Sequence, residues 1–435
     1  MANNIRGQQD ILAKLNIKRL NPMQEEALSV IPSTTNTILL SPTGTGKTLA
    51  FLLPLINLLD PKSKDVQAVI LVPSRELAIQ IEQVVRNMGS GYKVNAVYGG
   101  RPMAKDKIEL KHNPAILIGT PGRLADHFEA ERFTTKYIKT LILDEFDKSL
   151  EVGFEDEMKY IISILPNINK RILTSATQGV SIPKFVRLDK PTTINFLKER
   201  YSKLTVKTVI SPPKNKLNTL YDLLKHVGNE PGIIFCNQRE TIEDISAFLE
   251  RKRVGHGCFS GSMEQQDRER SLIKFRNGTY EILIATDVAA RGIDIPEIKF
   301  IVHYDLPYRS EEFTHRNGRT ARVSAKGTAY VLQWENERLP DFIDAKTANI
   351  SKKISRQPRY WETLFISGGR KDKISKGDIA GLFFKQGKLK PNELGVIELK
   401  RDCTFVSVPV AHAKRLISDL NNTRLKKKKV RITIV

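Results

Sequence analysis

The sequence predicts two tandem α/β domains with parallel sheets, followed by a small α+β domain. Three observations support this fold class. Short β-branched runs alternate with longer helical patterns in two successive series, and polar segments interrupt the pattern at 199–217 and 351–362. The last part of the chain, 362–435, has its own short strand and helix pattern. Alternation of strands with helices is typical of a parallel sheet covered on both faces.

Each predicted strand is a short apolar run. In the first series the runs are 35–41, 67–72, 115–119, 140–144 and 171–175. In the second series they are 232–236, 281–285, 299–304 and 327–332. The adjacent prolines Pro212 and Pro213 mark 199–217 as a connector. We therefore expect domains over 1–205, 206–355 and 362–435.

The composition argues against a membrane protein and against a disulfide framework. Hydrophobic residues make up 40% of the 435 residues, and no apolar run approaches the ~20 residues that span a bilayer. The N-terminal segment lacks the apolar stretch of a secretory signal. The cysteines Cys236, Cys258 and Cys403 are isolated from one another, a pattern that favours neither disulfides nor zinc. We expect a cytoplasmic protein with no membrane partner and no zinc.

The charge of the chain favours a polyanionic partner. Seventy Lys and Arg residues against 48 Asp and Glu residues give a net charge of +22. Segment 362–435 holds 17 Lys or Arg against 7 Asp or Glu, a net +10. Nucleic acid is the favoured partner, and a membrane surface or plain solubility remains an alternative.

The strongest chemical signal is "SPTGTGKT", 41–48, where an apolar strand turns through glycines into a helix. Glycines let backbone N–H groups converge on phosphates, and the helix N-terminus adds positive potential. Lys47 would reach the outer phosphates and the Thr48 hydroxyl would bind magnesium. Ser41 stands where the strict phosphate-loop pattern has glycine, so an ordinary strand–turn–helix remains an alternative.

Two acids, Asp144 and Glu145, follow directly after the predicted strand 140–144. A nucleotide site needs an acid that holds the metal and a group that orients water. Parallel sheets present ligands beyond the carboxyl ends of their strands, where both 41–48 and 144–147 would lie. The alternative is that the two acids cap the next helix.

With these motifs in order, the chain resembles the DEAD-box RNA helicases, and its tail resembles the extra domain of the DbpA-like subgroup. The resemblance covers nearly the whole chain. The motifs that carry it are "SPTGTGKT" (41–48), "PSREL" (73–77), "GG" (99–100), "TPGR" (120–123), "DEFD" (144–147), "SAT" (175–177), "TDVAARGID" (286–294) and "HRNGRTAR" (315–322). It implies two RecA-like domains, ATP and Mg²⁺ as cofactors, and RNA as the partner.

The resemblance assigns nucleotide roles residue by residue. Lys47, Glu145, Arg319 and Arg322 are the implied catalytic residues, with Arg319 and Arg322 as arginine fingers. The implied nucleotide-binding residues are Gln24, Thr43, Gly44, Thr45, Gly46, Lys47, Thr48, Asp144 and Asp294, of which Thr48 and Asp144 hold the metal. Asp147, Ser175 and Thr177 are implied to couple hydrolysis to RNA. The spacing of Arg316, Arg319 and Arg322 also predicts a shared helix face, for which a solvated basic surface is the alternative.

The implied RNA contacts go mainly to the sugar-phosphate backbone. In the first domain they are Arg75, Gly100, Thr120, Gly122 and Arg123, each of which could also be an ordinary turn residue. In the second domain they are Gln265, Arg268, Thr286 and Arg291. Contacts to 2′-hydroxyls would select RNA over DNA.

Two departures from the family pattern leave alternatives open. Asn21 stands where the family usually has Thr in the motif that reads adenine through Gln24, and Asn21, Pro22 and Gln24 also form a sound helix cap and capping box. Phe146 stands where the family name has alanine. It follows a buried strand, so we expect its ring to fill an apolar pocket, with an effect on coupling as the alternative.

The tail reads as a small α+β fold similar to an RNA-recognition motif of the DbpA type. Such motifs normally stack bases on several sheet aromatics, whereas the strand pattern here keeps only Phe365 and Phe405. We therefore expect RNA to bind the basic loops 368–378 and 424–429, and a merely solubilising surface is the alternative. The candidate residues are Lys371, Lys373, Lys376, Lys426, Lys427, Lys428 and Lys429.

The sequence thus predicts an ATP-dependent RNA helicase that unwinds short duplexes locally. The subgroup resemblance implies large-subunit ribosomal RNA and pre-ribosomal particles as partners, with the tail as a tether. One alternative is an RNA-stimulated ATPase that acts as a clamp or remodeller with little strand separation. A second is an RNA-anchoring protein whose enzyme core has decayed.

Overall fold

The computed structural model describes residues 5–151, 153–177, 181–197, 203–287, 298–320, 326–350 and 358–435. These residues divide into two compact units, and the second unit begins at Lys203. The first unit contains one parallel sheet. The second contains another parallel sheet and a small antiparallel sheet. The predicted fold class is confirmed. No helix among the described residues is long and apolar enough to cross a membrane.

The first sheet has the strand order β3-β4-β2-β5-β6-β1-β7, and its pairings are parallel. Its strands are β1 (Asn36–Leu40), β2 (Ala68–Leu71), β3 (Val94–Val97), β4 (Ile116–Gly119), β5 (Thr140–Leu143), β6 (Lys170–Ser175) and β7 (Thr192–Asn195). The helices of this unit are Gln8–Lys14, Pro22–Ser33, Lys47–Leu58, Arg75–Met88, Met103–Glu109, Pro121–Glu129, Phe146–Glu151 and Glu155–Ser163.

Helices cover both faces of this sheet. Alternate residues of one strand point to opposite faces, and in β2 Ala68 and Ile70 belong to one hydrophobic cluster while Val69 and Leu71 belong to another. Strands β5, β6 and β1 are neighbours. The segments that follow them are therefore brought together at one edge of the sheet.

The second parallel sheet has the order β10-β11-β9-β12-β13-β8-β14. Its strands are β8 (Lys203–Ser211), β9 (Gly232–Cys236), β10 (His256–Phe259), β11 (Ile282–Thr286), β12 (Phe300–His303), β13 (Lys326–Trp334) and β14 (Lys346–Thr347). The helices described here are Lys216–Val227, Arg239–Arg251, Gln265–Arg276 and Ser310–Asn317.

The prediction of a connector over 199–217 was wrong for residues 203–211. Strand β8 spans Lys203–Ser211 and pairs with β13 along its whole length. The run "KLTVKTVIS" is rich in β-branched residues, at positions 205, 206, 208, 209 and 210, and this composition is typical of a strand. The polar alternation and the following prolines concealed it.

The C-terminal sheet has the order β16-β17-β15-β20 and is antiparallel. Its strands are β15 (Trp361–Ile366), β16 (Ile397–Leu399), β17 (Thr404–Pro409) and β20 (Ile432–Ile434), and a separate hairpin pairs β18 (Arg424–Leu425) with β19 (Lys428–Lys429). The helices are Lys376–Gly381, which continues as a π-helical turn over Leu382–Gln386, and Val410–Leu420. One sheet face packs on these helices through Leu364, Ile366, Val406, Val408 and Ile432.

The other face of the C-terminal sheet contacts the second parallel-sheet domain, within the same unit. The Oγ1 atoms of Thr363 and Thr279 lie 2.7 Å apart, and Ser407 Oγ donates to the Asn277 carbonyl at 3.0 Å. Arg276 makes a two-point ion pair with Glu398 at 2.7 and 3.0 Å. The segment that follows helix Gln265–Arg276 therefore covers part of the face on which RNA-recognition motifs stack bases.

Candidate nucleotide and RNA site

The phosphate loop connects β1 to helix Lys47–Leu58. Gly44 and Gly46 adopt left-handed backbone conformations, with φ of 80° and 90°. Lys47 is 8% exposed, and its Nζ donates to the carbonyl oxygens of Ser41 and Pro42. The Thr45 hydroxyl donates to the Pro42 carbonyl at 2.8 Å. Thr43 and Thr48 are half-buried. The loop is thus folded around its own lysine at the start of a helix.

Asn21 and Gln24 cap a helix and contact the phosphate loop at the same time. They form the predicted capping box of helix Pro22–Ser33, because Gln24 N donates to Asn21 Oδ1 and Asn21 N donates to Gln24 Oε1. Asn21 Nδ2 also donates to the Thr45 carbonyl at 2.9 Å, and Gln24 Nε2 donates to the Gly46 carbonyl at 3.3 Å. A Cβ on Gly46 would lie 2.5 Å from Gln24 Nε2. Side-chain replacement at Gly46 would therefore displace Gln24.

Asp144 and Glu145 lie at the carboxyl end of β5, beside the end of β6. Asp144 is 3% exposed and Glu145 is 7% exposed. Asp144 Oδ1 accepts hydrogen bonds from Thr174 Oγ1 and from Glu145 N. Glu145 has φ of 47°, a left-handed conformation that is strained for a residue with a side chain. The strained residue is itself one of the two acids predicted to serve the nucleotide.

The charge on this pair of acids is costly in its buried setting. Burial, together with the neighbouring Glu145 charge, raises the pKa of Asp144 to about 6, although the Thr174 hydrogen bond opposes both effects. Burial also raises the pKa of Asp147. Among the described residues, Glu145 Oε2 is buried without a hydrogen-bond partner. A buried carboxylate oxygen of this kind has capacity for a water or a ligand.

Asp147 lies next to the "SAT" segment. Its Oδ2 accepts a hydrogen bond from Thr177 Oγ1 at 3.2 Å, and Thr177 N donates to Ser175 Oγ at 3.0 Å. Phe146, between Glu145 and Asp147, is 2% exposed and belongs to a hydrophobic cluster with Leu173. The expectation that the ring of Phe146 fills an apolar pocket is confirmed.

Three predicted RNA motifs of the first domain lie at turns and helix starts. Arg75 begins helix Arg75–Met88. Its guanidinium lies against Gly100, where φ is 80° and a Cβ would lie 2.3 Å from Arg75 Nη1. Thr120 caps helix Pro121–Glu129, so Gly122 and Arg123 lie in its first turn. Arg123 Nη2 donates to the Arg101 carbonyl at 2.6 Å, which joins the loop after Gly100 to this helix start.

The predicted RNA residues of the second unit have different surroundings. Gln265 begins helix Gln265–Arg276, and Thr286 ends β11. Arg268 is 7% exposed, and its guanidinium lies over the Phe259 ring, 5.1 Å from the centroid. Arg291 lies outside the described residues.

The prediction that three arginines share a helix face was wrong where the structure describes them. Helix Ser310–Asn317 ends before Arg319 because the chain turns at Gly318. Arg316 is 1% exposed and bonds to Asp287, the Asp305 carbonyl and Asn237. Arg319 is 6% exposed. The two arginines do not form a solvated basic surface, and Arg322 and Asp294 lie outside the described residues.

In the tail, the two basic loops predicted from distant parts of the sequence lie side by side. Lys426 Nζ lies 2.9 Å from Asp378 Oδ1, and Lys428 Nζ lies 3.1 Å from Asp372 Oδ2. The exposed lysines of these loops are Lys371, Lys373, Lys376, Lys426, Lys427 and Lys429. Hairpin β18–β19 and loop 368–378 therefore form one basic surface.

Three regions of the chain match known protein families. Residues 21–185 match the DEAD/DEAH box helicase family, 215–324 the helicase conserved C-terminal domain and 363–434 the DbpA RNA binding domain. The ATP-dependent RNA helicase DbpA of Bacillus subtilis (strain 168) is 30% identical over 446 residues, covering 93% of each chain. This chain belongs to the DEAD-box family of ATP-dependent RNA helicases. DbpA of Escherichia coli (strain K12) is 29% identical and covers 98% of this chain and 96% of its own length.

Solved DEAD-box structures share the fold of the helicase core. S. cerevisiae Dbp5 bound to RNA and ADP BeF3 has a TM-score of 0.67 at 27% identity, over 76% of this chain and 88% of that chain. DEAD-box helicase Mss116 bound to ssRNA and UDP-BeF has a TM-score of 0.68 at 26% identity, over 76% of this chain and 74% of that chain. The two parallel-sheet domains are RecA-like, and the C-terminal domain of this DEAD-box protein is a DbpA RNA-binding domain.

Sequence reasoning missed two contributors to the nucleotide site. Thr174 bonds Asp144, and Asn21 bonds the phosphate loop. The position of Thr174 one residue before "SAT" at the end of a strand was a usable signal. The contact of Asn21 with Thr45 joins residues 24 positions apart and has no signal in the local pattern.

Proposed function

We propose that this DEAD-box helicase uses ATP to separate short RNA duplexes locally on large-subunit ribosomal RNA, in the cytoplasm and during ribosome assembly. Its C-terminal domain holds a structured element of the same RNA or pre-ribosomal particle. The helicase core then acts on a duplex near that element.

One observation carries the tethering part of the proposal. Helix Gln265–Arg276 bears the predicted RNA residues Gln265 and Arg268 in its first turns. Its last turn and the next residues bond the C-terminal sheet, through Arg276–Glu398 and Thr279–Thr363. Glu269 also lies 2.7 Å from Lys400 of that domain. A single helix thus links the proposed RNA contacts of the second RecA-like domain to the tail, so RNA held by the tail would have a defined place relative to that domain.

The nucleotide site fits ATP with Mg²⁺. Thr48 and Asp144 offer hydroxyl and carboxylate oxygens, the hard ligands that Mg²⁺ prefers. Bound Mg²⁺ would neutralise charge on the phosphate oxygens. Lys47 would leave the loop carbonyls to bind the outer phosphates, Asn21 and Gln24 would hold the loop, and Glu145 would orient the attacking water. Asp147 would report this state to Ser175 and Thr177 through its hydrogen bond to Thr177. Arg319, Arg322 and Asp294 would also act on the nucleotide, as the family resemblance implies.

Strand separation is the measurement that tests the proposal. RNA crosslinked to the full chain is sequenced to obtain the structured element, and a short duplex is then placed beside that element or on unrelated RNA. We expect ATP-dependent separation with the first substrate and much less with the second. Glu145→Gln should lower ATP turnover by about 10²–10⁴-fold without weakening RNA binding.

The alternatives are outcomes of the same experiment. ATP hydrolysis without strand separation would identify an RNA clamp or remodeller. An absence of RNA-stimulated hydrolysis would indicate a decayed core that only anchors RNA. Equal separation of matched DNA duplexes would overturn the assignment to RNA.

A further inference from the structure

A fully buried carboxylate, Asp106, lies outside the nucleotide site and outside the predicted RNA residues. It belongs to helix Met103–Glu109 and is 0% exposed. Its Oδ1 accepts from Arg101 Nε at 2.5 Å, and its Oδ2 lies 3.1 Å from His127 Nε2 and 3.7 Å from Arg123 Nε. A buried charge is tolerated only when it is paired and hydrogen-bonded. The three partners come from the loop after Gly100 and from helix Pro121–Glu129.

The same side chains also hold together two protein segments that are predicted to bind RNA, the loop after Gly100 and the start of helix Pro121–Glu129. Arg123 Nη2 donates to the Arg101 carbonyl at 2.6 Å, and Arg101 Nη2 donates to Glu109 Oε2 at 2.7 Å. Asp106 therefore sits between the "GG" loop and the helix start that contains Thr120 and Gly122. The charges of Arg101 and Arg123 are engaged inside the protein, with side chains only 16% and 10% exposed.

The direction of hydrogen bonding through His127 is determined by its other neighbour. Arg132 Nη1 lies 2.8 Å from His127 Nδ1. Arginine can only donate, so Nδ1 accepts. In neutral His127 the hydrogen is then on Nε2, which donates to Asp106. Donors thus run in one direction from Arg132 through His127 to Asp106.

We propose that Asp106 is a positioning residue for RNA binding. It holds the Gly99–Arg101 loop and the Thr120–Arg123 helix start in one fixed arrangement, so that their backbone N–H groups bind the sugar-phosphate chain together. The inference rests on the proposed RNA contacts at Gly100, Thr120 and Gly122. It adds that this face depends on a buried acid and not on the free charge of its arginines.

Asp106→Asn tests the role at constant side-chain size. Whichever way the amide is turned, its NH₂ faces either Arg101 Nε–H or His127 Nε2–H, both donors. His127 cannot change tautomer because its Nδ1 would then present a hydrogen to Arg132. We expect the concentration of unstructured RNA giving half-maximal ATPase stimulation to rise roughly tenfold, which is about 1.4 kcal/mol. Turnover at saturating RNA should stay within about twofold, because the nucleotide residues are untouched.

Two further variants separate positioning from folding. Asp126→Asn removes an exposed acid from helix Pro121–Glu129, beside His127 but outside the network, and should change nothing. Adding Arg132→Gln to Asp106→Asn frees His127 to place its hydrogen on Nδ1 and accept at Nε2, so the double variant should recover part of the lost RNA affinity. A merely structural role predicts no such recovery.

Three results have separate meanings. If the folded Asp106→Asn protein has a lower melting temperature but unchanged half-maximal RNA concentration, the positioning role is wrong. If Asp106→Asn does not fold, the double variant decides: normal RNA affinity contradicts the role, and affinity between parent and a tenfold loss supports it. If RNA fails to stimulate the parent protein, the proposed function itself has failed.

Discussion

The proposed RNA face of the first domain and the basic surface of the tail hold their charges in opposite ways. Arg101 and Arg123 are largely buried and bound to Asp106, which is 0% exposed. Lys426 and Lys428 have side chains that are 50% and 30% exposed, and each pairs with a surface aspartate. The first domain has a few charged side chains held in fixed positions, whereas the tail has many solvated charged side chains.

This difference predicts how each region responds to substitution. A buried polar or packed group loses its partners outright when it is changed, so its effect is large and local. Solvated charges act through the summed field, are screened by salt and can replace one another. Interior substitutions should therefore change the stability of the protein or a single activity. Tail substitutions should change the affinity for RNA in proportion to the charge removed.

Phe146→Ala should produce the largest effect, because it removes a packed interior ring. Loss of a buried aromatic side chain costs about 3–5 kcal/mol. Stability should fall, while ATP turnover with saturating RNA, measured where the variant is folded, stays within about tenfold of the parent. Both tryptophans, Trp334 and Trp361, lie in the second unit, so hydrogen exchange of peptides from 140–175 is the suitable probe.

The exposed Phe384 of the tail provides the matched control. Phe384→Ala should leave the stability of the first unit unchanged. If Phe146→Ala keeps normal protection from exchange but loses turnover, the ring belongs to the coupling between Asp147 and Thr177, and the packing account is wrong.

Asp144→Asn should stabilise the first unit at neutral pH. The pKa of Asp144 in the folded protein is about 6, above the ordinary value of 3.8. Between these two pH values the folded state binds more protons than the unfolded state, so stability falls as pH rises through this window. The buried charge costs up to about 2–3 kcal/mol above pH 7. Neutral Asn removes this cost and keeps an acceptor for Thr174, although turnover should be lost.

The stability of variant and parent is measured from pH 4 to pH 7.5, with hydrogen exchange of peptides from 140–175 as the probe. The gain from Asp144→Asn should be small at the acid end and increase with pH. A gain in stability that is the same at every pH would show that the buried charge of Asp144 is not what destabilises the parent protein.

The sequence predicted what is continuous along the chain. The central strands β1, β2, β4, β5 and β6 were identified because they are buried on both faces and read as apolar runs. The edge strands β3, β7, β10 and β14 were missed, since a strand with one neighbour need not be apolar throughout. The phosphate loop is local and was found.

The rest of the site depends on tertiary contacts. Asn21 contacts Thr45 and Asp106 contacts His127 because the fold brings them close, and no spacing rule connects these residues. The tail loops 368–378 and 424–429 were found separately because each is rich in lysine. Their proximity, through Lys428 and Asp372, could only be seen in the structure.

Neutralising the tail hairpin should have the smallest effect and the most graded one. Changing Lys426, Lys427, Lys428 and Lys429 to Gln should flatten the salt dependence of binding to structured RNA, because each lost phosphate contact lowers the slope by about 0.7–0.9. A variant in which only Lys427 and Lys429 are changed to Gln should give an intermediate slope. ATP turnover stimulated by long unstructured RNA should not change, since that depends on the buried groups of the core.

The matched control is Lys385 and Lys388 changed to Gln, two exposed lysines of the same domain outside the hairpin. If this control and the Lys427/Lys429 variant lower the slope equally, the hairpin has no special place in RNA binding. The tail would then act by net charge alone, and the contrast between fixed and solvated charge would hold without a defined tail site.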